Sequence, residues 1–337
     1  MLSSTLTTLQ DVAFDFKYAD QHSVNEDQRQ KLPPAILQTL AYFDVFNFAL
    51  TDWEIYKYLW VENLADKNVS YFQVREILIN LPQAAYKDGF YFLAGREELV
   101  PLRKERQIIA REKYKRARRV AIFFSLLPFI KMIAVCNSLA YDNARAESDI
   151  DFFIISQKGK VWTTRFFTTL ILKFLRLRPT NKTKQNKICV NFIITKDALS
   201  LQPLLVENDI YFKYWLRQLV PLYNQGDIFQ KFIQENDFVA RAINNSAPLL
   251  FFNQRKIELG RAAEFLKLIL EKICSGVWFE NFYKQIQLKM MPVNLKAQAG
   301  KGTAVVMNDC ILKFHEQDRR QEYRDLWKDH VAFKNNQ

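Results

Sequence analysis

The chain reads as a mixed α/β (α+β) protein, and three observations predict it. Short apolar runs of strand character, 132–136, 149–156 and 187–194, are separated by longer segments whose apolar residues recur at helical spacing. Helix starts are marked by capping-box patterns such as Thr51-Asp52-Trp53-Glu54. The composition is 49% hydrophobic and 25% charged over 337 residues, with 8 Gly and 10 Pro. That supplies a sizeable core and excludes global disorder and collagen-like repeats. At about 100–200 residues per domain, the length suggests two or three domains.

The elements follow in order. Residues 1–30 form a polar arm of mixed charge with no signal-peptide pattern. Pro33-Pro34 opens a helix with Ile36, Leu37, Leu40 and Phe43 at helical spacing. Thr51-Asp52-Trp53-Glu54 starts a second helix to about Trp60, and Ser70-Tyr71-Phe72-Gln73 a third to about Leu81. From Ala85 to Leu93, strand residues flank the tight turn Asp88-Gly89. Three short helices and a ribbon resemble a winged helix, covering 31–100. That resemblance implies DNA as a partner. The third helix, however, offers Arg75 beside Glu76, and the hairpin Lys87 beside Asp88. This is a poor electrostatic footprint for DNA, and packing or dimerisation is the preferred role.

Lys plus Arg is 48 and Asp plus Glu 36, a formal net charge of +12 that favours an anionic partner. The excess sits in two places. Nine bases lie from Arg103 to Arg119 against Glu105 and Glu112, on a basic linking helix placed at 101–128. Six more lie from Lys173 to Lys187 with no acid, on a helix end and a polar loop. Each is either a solvated face or a flank of an anion site. The cysteines Cys136, Cys189, Cys274 and Cys310 form no CxxC pair, the pattern of buried free thiols in a reducing compartment. The histidines His22, His315 and His330 are far apart, which disfavours a zinc site. The longest apolar run, 120–130, is far short of the roughly 20 residues that span a bilayer. A cytoplasmic protein with no membrane partner is expected.

The chemistry concentrates between Lys131 and Ile155. Residues 132–136 read as a buried strand, Asn137-Ser138 turns the chain into a short helix, and a second strand starts with Asp149-Ile150-Asp151. Side chains alternate along a strand, so Asp149 and Asp151 share a side. Their mutual repulsion is what a divalent cation relieves.

This arrangement resembles the nucleotidyltransferase superfamily of DNA polymerase beta-like enzymes. The family pattern is an apolar residue, Gly, then Ser or Gly, a spacer of roughly ten residues, and Asp-apolar-Asp-apolar. Here Ser138 is the second motif residue, the spacer runs from Leu139 to Ser148, and Asp149 and Asp151 are the acids. The resemblance implies a small mixed-sheet core at 129–208, with Asp149 and Asp151 as magnesium ligands and catalytic residues. Asn137 and Ser138 would lie at the phosphates, and Arg165 and Lys187 would be further phosphate contacts. Two positions depart from the pattern. Asn137 stands where the family has Gly, and Asn tolerates a left-handed backbone next best. Asn191, on the strand of residues 187–194, stands where the family has a third carboxylate, and it cannot take a proton as a carboxylate does; Asp197, just past the strand, is the alternative for that place or a cap of the next helix.

Residues 209–337 read as a C-terminal helical domain: a helix over 209–222 ending near Pro221, one over 229–238, and one or two over 256–288. Residues 303–307 and 310–314 flank Asn308-Asp309 as a hairpin. The expected function is magnesium-dependent transfer of a nucleoside monophosphate from a nucleoside triphosphate to a hydroxyl acceptor, whether small molecule, protein or RNA. The alternatives are a catalytically degenerate nucleotide-binding protein, or a nucleic-acid-binding regulator using the winged helix.

Overall fold

The computed structural model describes residues 26–62, 64, 69–180, 183–243 and 256–335. Most of the expected polar arm, together with His22 and Lys182, lies outside these residues. The described residues fall into two compact units. One is drawn from Met1–Leu102, Ala240–Leu249 and Asp325–Gln337, the other from Arg103–Val239 and Leu250–Arg324.

In the first unit, α1 (Glu26–Val45) starts seven residues before Pro33 and carries both prolines inside it. A proline inside a helix costs a hydrogen bond and crowds the preceding turn. Complete burial of Leu32 and Ile36 on either side of the pair holds the helix through them. The next two helices, α2 (Asp52–Lys57) and α3 (Tyr71–Ile79), both open on reciprocal capping boxes, Thr51 with Glu54 and Ser70 with Gln73. The hairpin pairs β1 (Ala84–Lys87) with β2 (Phe90–Leu93), Lys87 opposite Phe90. Asp88 (φ 52°) and Gly89 (φ 87°) both take the left-handed backbone that a two-residue type I′ turn requires.

The second unit is built on a six-stranded mixed sheet in the order β6-β3-β4-β5-β8-β7. Its strands are β3 (Ile130–Val135), β4 (Ile150–Ser156), β5 (Ile188–Thr195), β6 (Val220–Asn224), β7 (Val305–Met307) and β8 (Ile311–Phe314). Only β4 and β5 are parallel, and the other neighbours are antiparallel. Parallel neighbours need a crossover, supplied here by a helix, Val161–Phe174. In β4 every residue except Asp151 is buried, the continuous apolar pattern of a central strand covered on both faces.

The expected boundary at 208/209 does not divide this fold. Residues beyond it supply β6, β7 and β8, half of the sheet. The helix expected over 209–222 stops at Gln218, and Val220–Asn224 pairs with β3 as an edge strand. Pro221 fits there because an edge strand has one row of unpaired N–H groups.

Helix ends in this unit are tied by distant charged side chains. Helix Val161–Phe174 has no side-chain cap of its own. Glu280 supplies one from afar. Its carboxylate accepts from the Trp162 amide at 2.7 Å, the Thr163 amide at 3.0 Å and the Thr163 hydroxyl at 2.6 Å. Lys160 does the converse for helix Arg261–Ile273, donating to the carbonyls of Cys274, Ser275 and Gly276. Negative charge at a helix start and positive charge at a helix end both oppose the aligned peptide dipoles. Glu280→Ala is expected to cost about 3 kcal/mol by stranding two buried amides and a hydroxyl. Urea unfolding checks this, with Glu280→Gln expected to lose less.

Candidate functional site

The site is assembled by three chain segments that the register of β4 brings together. Val135 pairs with Phe152, and the Cys136 amide donates to the Asp151 carbonyl at 3.1 Å. This sets the turn after β3 against the start of β4. On the other side Asp151 lies opposite Cys189 of β5. The Asp149 and Asp151 carboxylates and the Cys189 Sγ each offer one ligand atom, all within 4.8 Å of one another. All three residues are half-buried.

Asn137 takes a left-handed backbone, φ 57°, at the start of a single helical turn, Asn137–Ala140. Its side chain works in both directions. The Oδ1 accepts from Trp215 Nε1 at 2.9 Å, and the amide hydrogen-bonds the Asp151 carboxylate. Burial and the nearby Asp149 charge push the Asp151 pKa well above the usual carboxylate range, and the Asn137 bond partly offsets this. The half-buried Ser138 sits on the same turn.

Asp149 is placed from the linking helix, α4 (Leu99–Ser125). Lys113, buried to 2% exposure, donates to the carbonyls of Ala146 and Ser148 and to Asn186 Oδ1. Arg106 holds Asn143 Oδ1 at 2.7 Å, and the Tyr114 hydroxyl donates to the Ala140 carbonyl. The spacer between turn and acids is therefore fastened along its length.

Asn191 lies near but not in the triad. Between the pairs Asp151↔Cys189 and Phe153↔Phe192, β5 carries one residue more than β4. That irregularity turns Asn191 toward a cavity of about 690 Å³, which Asn137 and Trp215 also line. Cys189 hydrogen-bonds Asn191, and burial with the two aspartates holds its thiol well above the ordinary range. The cavity lining is mixed in charge, with Lys184, Lys313, Arg319 and Arg320 beside Glu316 and Asp318. Lys313, 1% exposed, donates to the Thr303 carbonyl, and burial beside Arg320 lowers its pKa to about 8. Arg320 is itself paired with Asp209 and Asp318. His315 is pulled down to about 3 by burial and by Lys313, so it is neutral near pH 7.

Of the two further expected phosphate contacts, Arg165 lies elsewhere, and Lys187 accepts the Ile150 amide at its carbonyl while its side chain is engaged away from the acids. Arg165 donates to Gln287 Oε1 at 2.7 Å and lines a separate cavity of about 170 Å³. Lys187 donates to the Arg176 carbonyl at 2.7 Å. Three residues of the site were not singled out from the sequence. Cys189 had a signal, since it stands two before Asn191 and an unbroken strand would set both on one face. Trp215 had none beyond its place in an apolar helix pattern, and Lys113 was one base among nine. Of the four free cysteines only Cys136 is fully buried, so the expectation of four buried thiols is corrected to one.

A carboxylate whose folded pKa is raised binds a proton that the unfolded chain releases. It therefore lowers stability as pH rises from the ordinary carboxylate range through the raised value. Asp151→Asn removes this effect. In cation-free buffer the variant is expected to melt higher than the parent, with the gap widening as pH rises from about 4 to 8. Paired thermal melts across pH check this. No protein-family model, curated protein or solved structure matches this chain.

Proposed function

We propose that the second unit is a magnesium-dependent nucleotidyltransferase that moves a nucleoside monophosphate from a nucleoside triphosphate to a hydroxyl acceptor. The observation that carries this is the convergence of Asp149 and Asp151 within 4.8 Å, beside the left-handed turn at Asn137. The adjoining 690 Å³ cavity is within the size range of small-ligand sites.

The donor set fits magnesium. Two carboxylates are typical of its protein ligands, with water and phosphate oxygens filling the remaining positions. Cys189, protonated and soft, suits that shell poorly and stands beside it. A bound magnesium ion would neutralise phosphate charge and polarise the α-phosphorus. The chain's own residues do the rest. Asp149 and Asp151 would hold the cation, and Lys113 and the Asn137–Trp215 bond keep their surroundings fixed. Ser138, on the same turn as Asn137, would meet the phosphates, and Lys313 sets a positive charge on the cavity wall.

A second reading, a nucleotide-binding protein without transfer activity, is favoured by Asn191 and Cys189. Neither takes a proton from an attacking hydroxyl as a carboxylate would.

The test is a nucleoside triphosphate panel with magnesium and a small-molecule extract as acceptor source, followed by pyrophosphate release and thermal shift. Transferase activity is expected to release pyrophosphate with at least one nucleotide and to fall about 100-fold or more in Asp149→Asn and Asp151→Asn. Stabilisation by a nucleotide without pyrophosphate selects the second reading. Neither response with any nucleotide rejects both.

A further inference from the structure

Eight exposed large apolar residues of the second unit lie together on helix Arg261–Ile273, α10 counted along the chain, and on the start of the next, Val277–Met290 (α11), while others such as Ile108, Leu170 and Phe174 stand apart from them in sequence. In α10 the usual arrangement is inverted. Lys267, 3% exposed, turns inward and donates to the carbonyls of Ser125 and Ile130 and to the Tyr223 hydroxyl. Glu271 also turns inward, to Lys131 and the Phe129 amide. The outward positions are Phe265, Leu266, Leu268, Ile269 and Ile273, each at least 40% exposed. Val277, Trp278 and Phe282 of α11 are exposed as well, Trp278 by 65%. Single apolar residues on a surface are ordinary. A helix that buries its lysine and presents its phenylalanine, leucines and isoleucines marks a covered face.

Charge says what covers it. Arg111, Lys115, Arg118 and Arg119 are exposed on α4, with Glu112 among them paired to Lys115 at 2.7 Å. Phe123, four residues after Arg119 on the same face, is also exposed. α4 ends at Ser125, whose carbonyl Lys267 grips at 3.0 Å, so this basic helix meets α10. Arg261, Lys272 and Lys289 add exposed positive charge on α10 and α11, against the exposed Glu264.

We infer that this face adsorbs to an anionic membrane surface. α10 and the start of α11 lay their apolar side chains at the headgroup–acyl boundary, and the neighbouring bases take the lipid phosphates. An apolar helix face with aromatic residues and basic neighbours has the composition of an interfacial helix, and tryptophan favours that depth. No described helix is long and apolar enough to cross a membrane, and adsorption needs none. The expectation of no membrane partner rested on spanning segments alone. A second copy of the chain is the competing occupant. An isologous contact sets the same patch on both subunits, bringing like-charged bases together where an anionic surface neutralises them.

The experiment is flotation of the full chain with vesicles of phosphatidylcholine, alone or with about one-third phosphatidylglycerol. Binding is expected to the anionic vesicles and to weaken with salt. The double variant Phe265→Asp/Ile269→Asp should lose binding at least about tenfold. Arg118→Glu/Arg119→Glu should lose roughly fivefold or more for each reversed charge. All four residues are exposed, and unchanged melting temperatures confirm folding. The inference is overturned by no binding to either vesicle, by equal binding to both, or by binding that the apolar variant leaves intact. It is equally overturned by a lipid-independent dimer that Phe265→Asp/Ile269→Asp dissolves while vesicles capture nothing.

Discussion

Two like charges held together at the mouth of a buried strand are the constraint around which the second unit is arranged. Asp149 and Asp151 would separate if the chain were free. They do not because β4 is covered on both faces, with Phe152 to Ser156 buried in an unbroken run. A slip of one residue in its register would carry Asp151 into the sheet's neighbouring layer and expose a phenylalanine or isoleucine. The apolar cost of that slip exceeds the repulsion of a half-buried pair, so the strand fixes the acids. Burial of Asp151, with the remaining repulsion from Asp149 added to it, appears as the raised pKa of Asp151.

The surroundings of the pair are tuned by residues far away in sequence. Lys113 comes from the linking helix, Trp215 from the helix before β6, and Lys313 from β8. Each uses a side-chain hydrogen bond to fix backbone or amide geometry, and only Lys313 places net charge on the cavity. The linking helix thereby has two faces. Arg103, Arg106 and Lys113 are buried against the spacer, whereas Arg111, Lys115, Arg118 and Arg119 face out. The alternatives set for this stretch, solvated face or anion flank, both assumed exposure. Three of its nine bases are structural instead.

The parts legible in the sequence are those written locally. Both capping boxes, the Asp88-Gly89 turn, the strand–turn–strand around Asn137 and the same-side placement of Asp149 and Asp151 depend on neighbours a few residues apart. The helix through Pro33-Pro34 was not legible, because burial of Leu32 and Ile36 outweighs a local rule. Nor was β6. Tyr223 and Pro221 become strand residues only by pairing with β3 nearly ninety positions earlier. Cys189 reaches the acids only through the parallel pairing of β4 and β5, and no local pattern reports which strands will be neighbours.

The same long-range logic explains why the helices after residue 260 turn apolar side chains outward. Their inward faces are occupied by polar anchors. Lys267 satisfies three acceptors at the end of α4 and in β3 and β6, Glu271 holds the chain entering β3, and Glu280 caps the helix that crosses from β4 to β5. A buried charge is tolerated only when its hydrogen bonds are filled, and here the bonds it fills are those that strand starts and helix ends leave open. Polar residues that serve the fold from inside leave the apolar ones of the same helix no interior to enter. The exposed face of α10 and α11 therefore follows from how the sheet is anchored, and a surface that covers it would complete the burial that those anchors displaced.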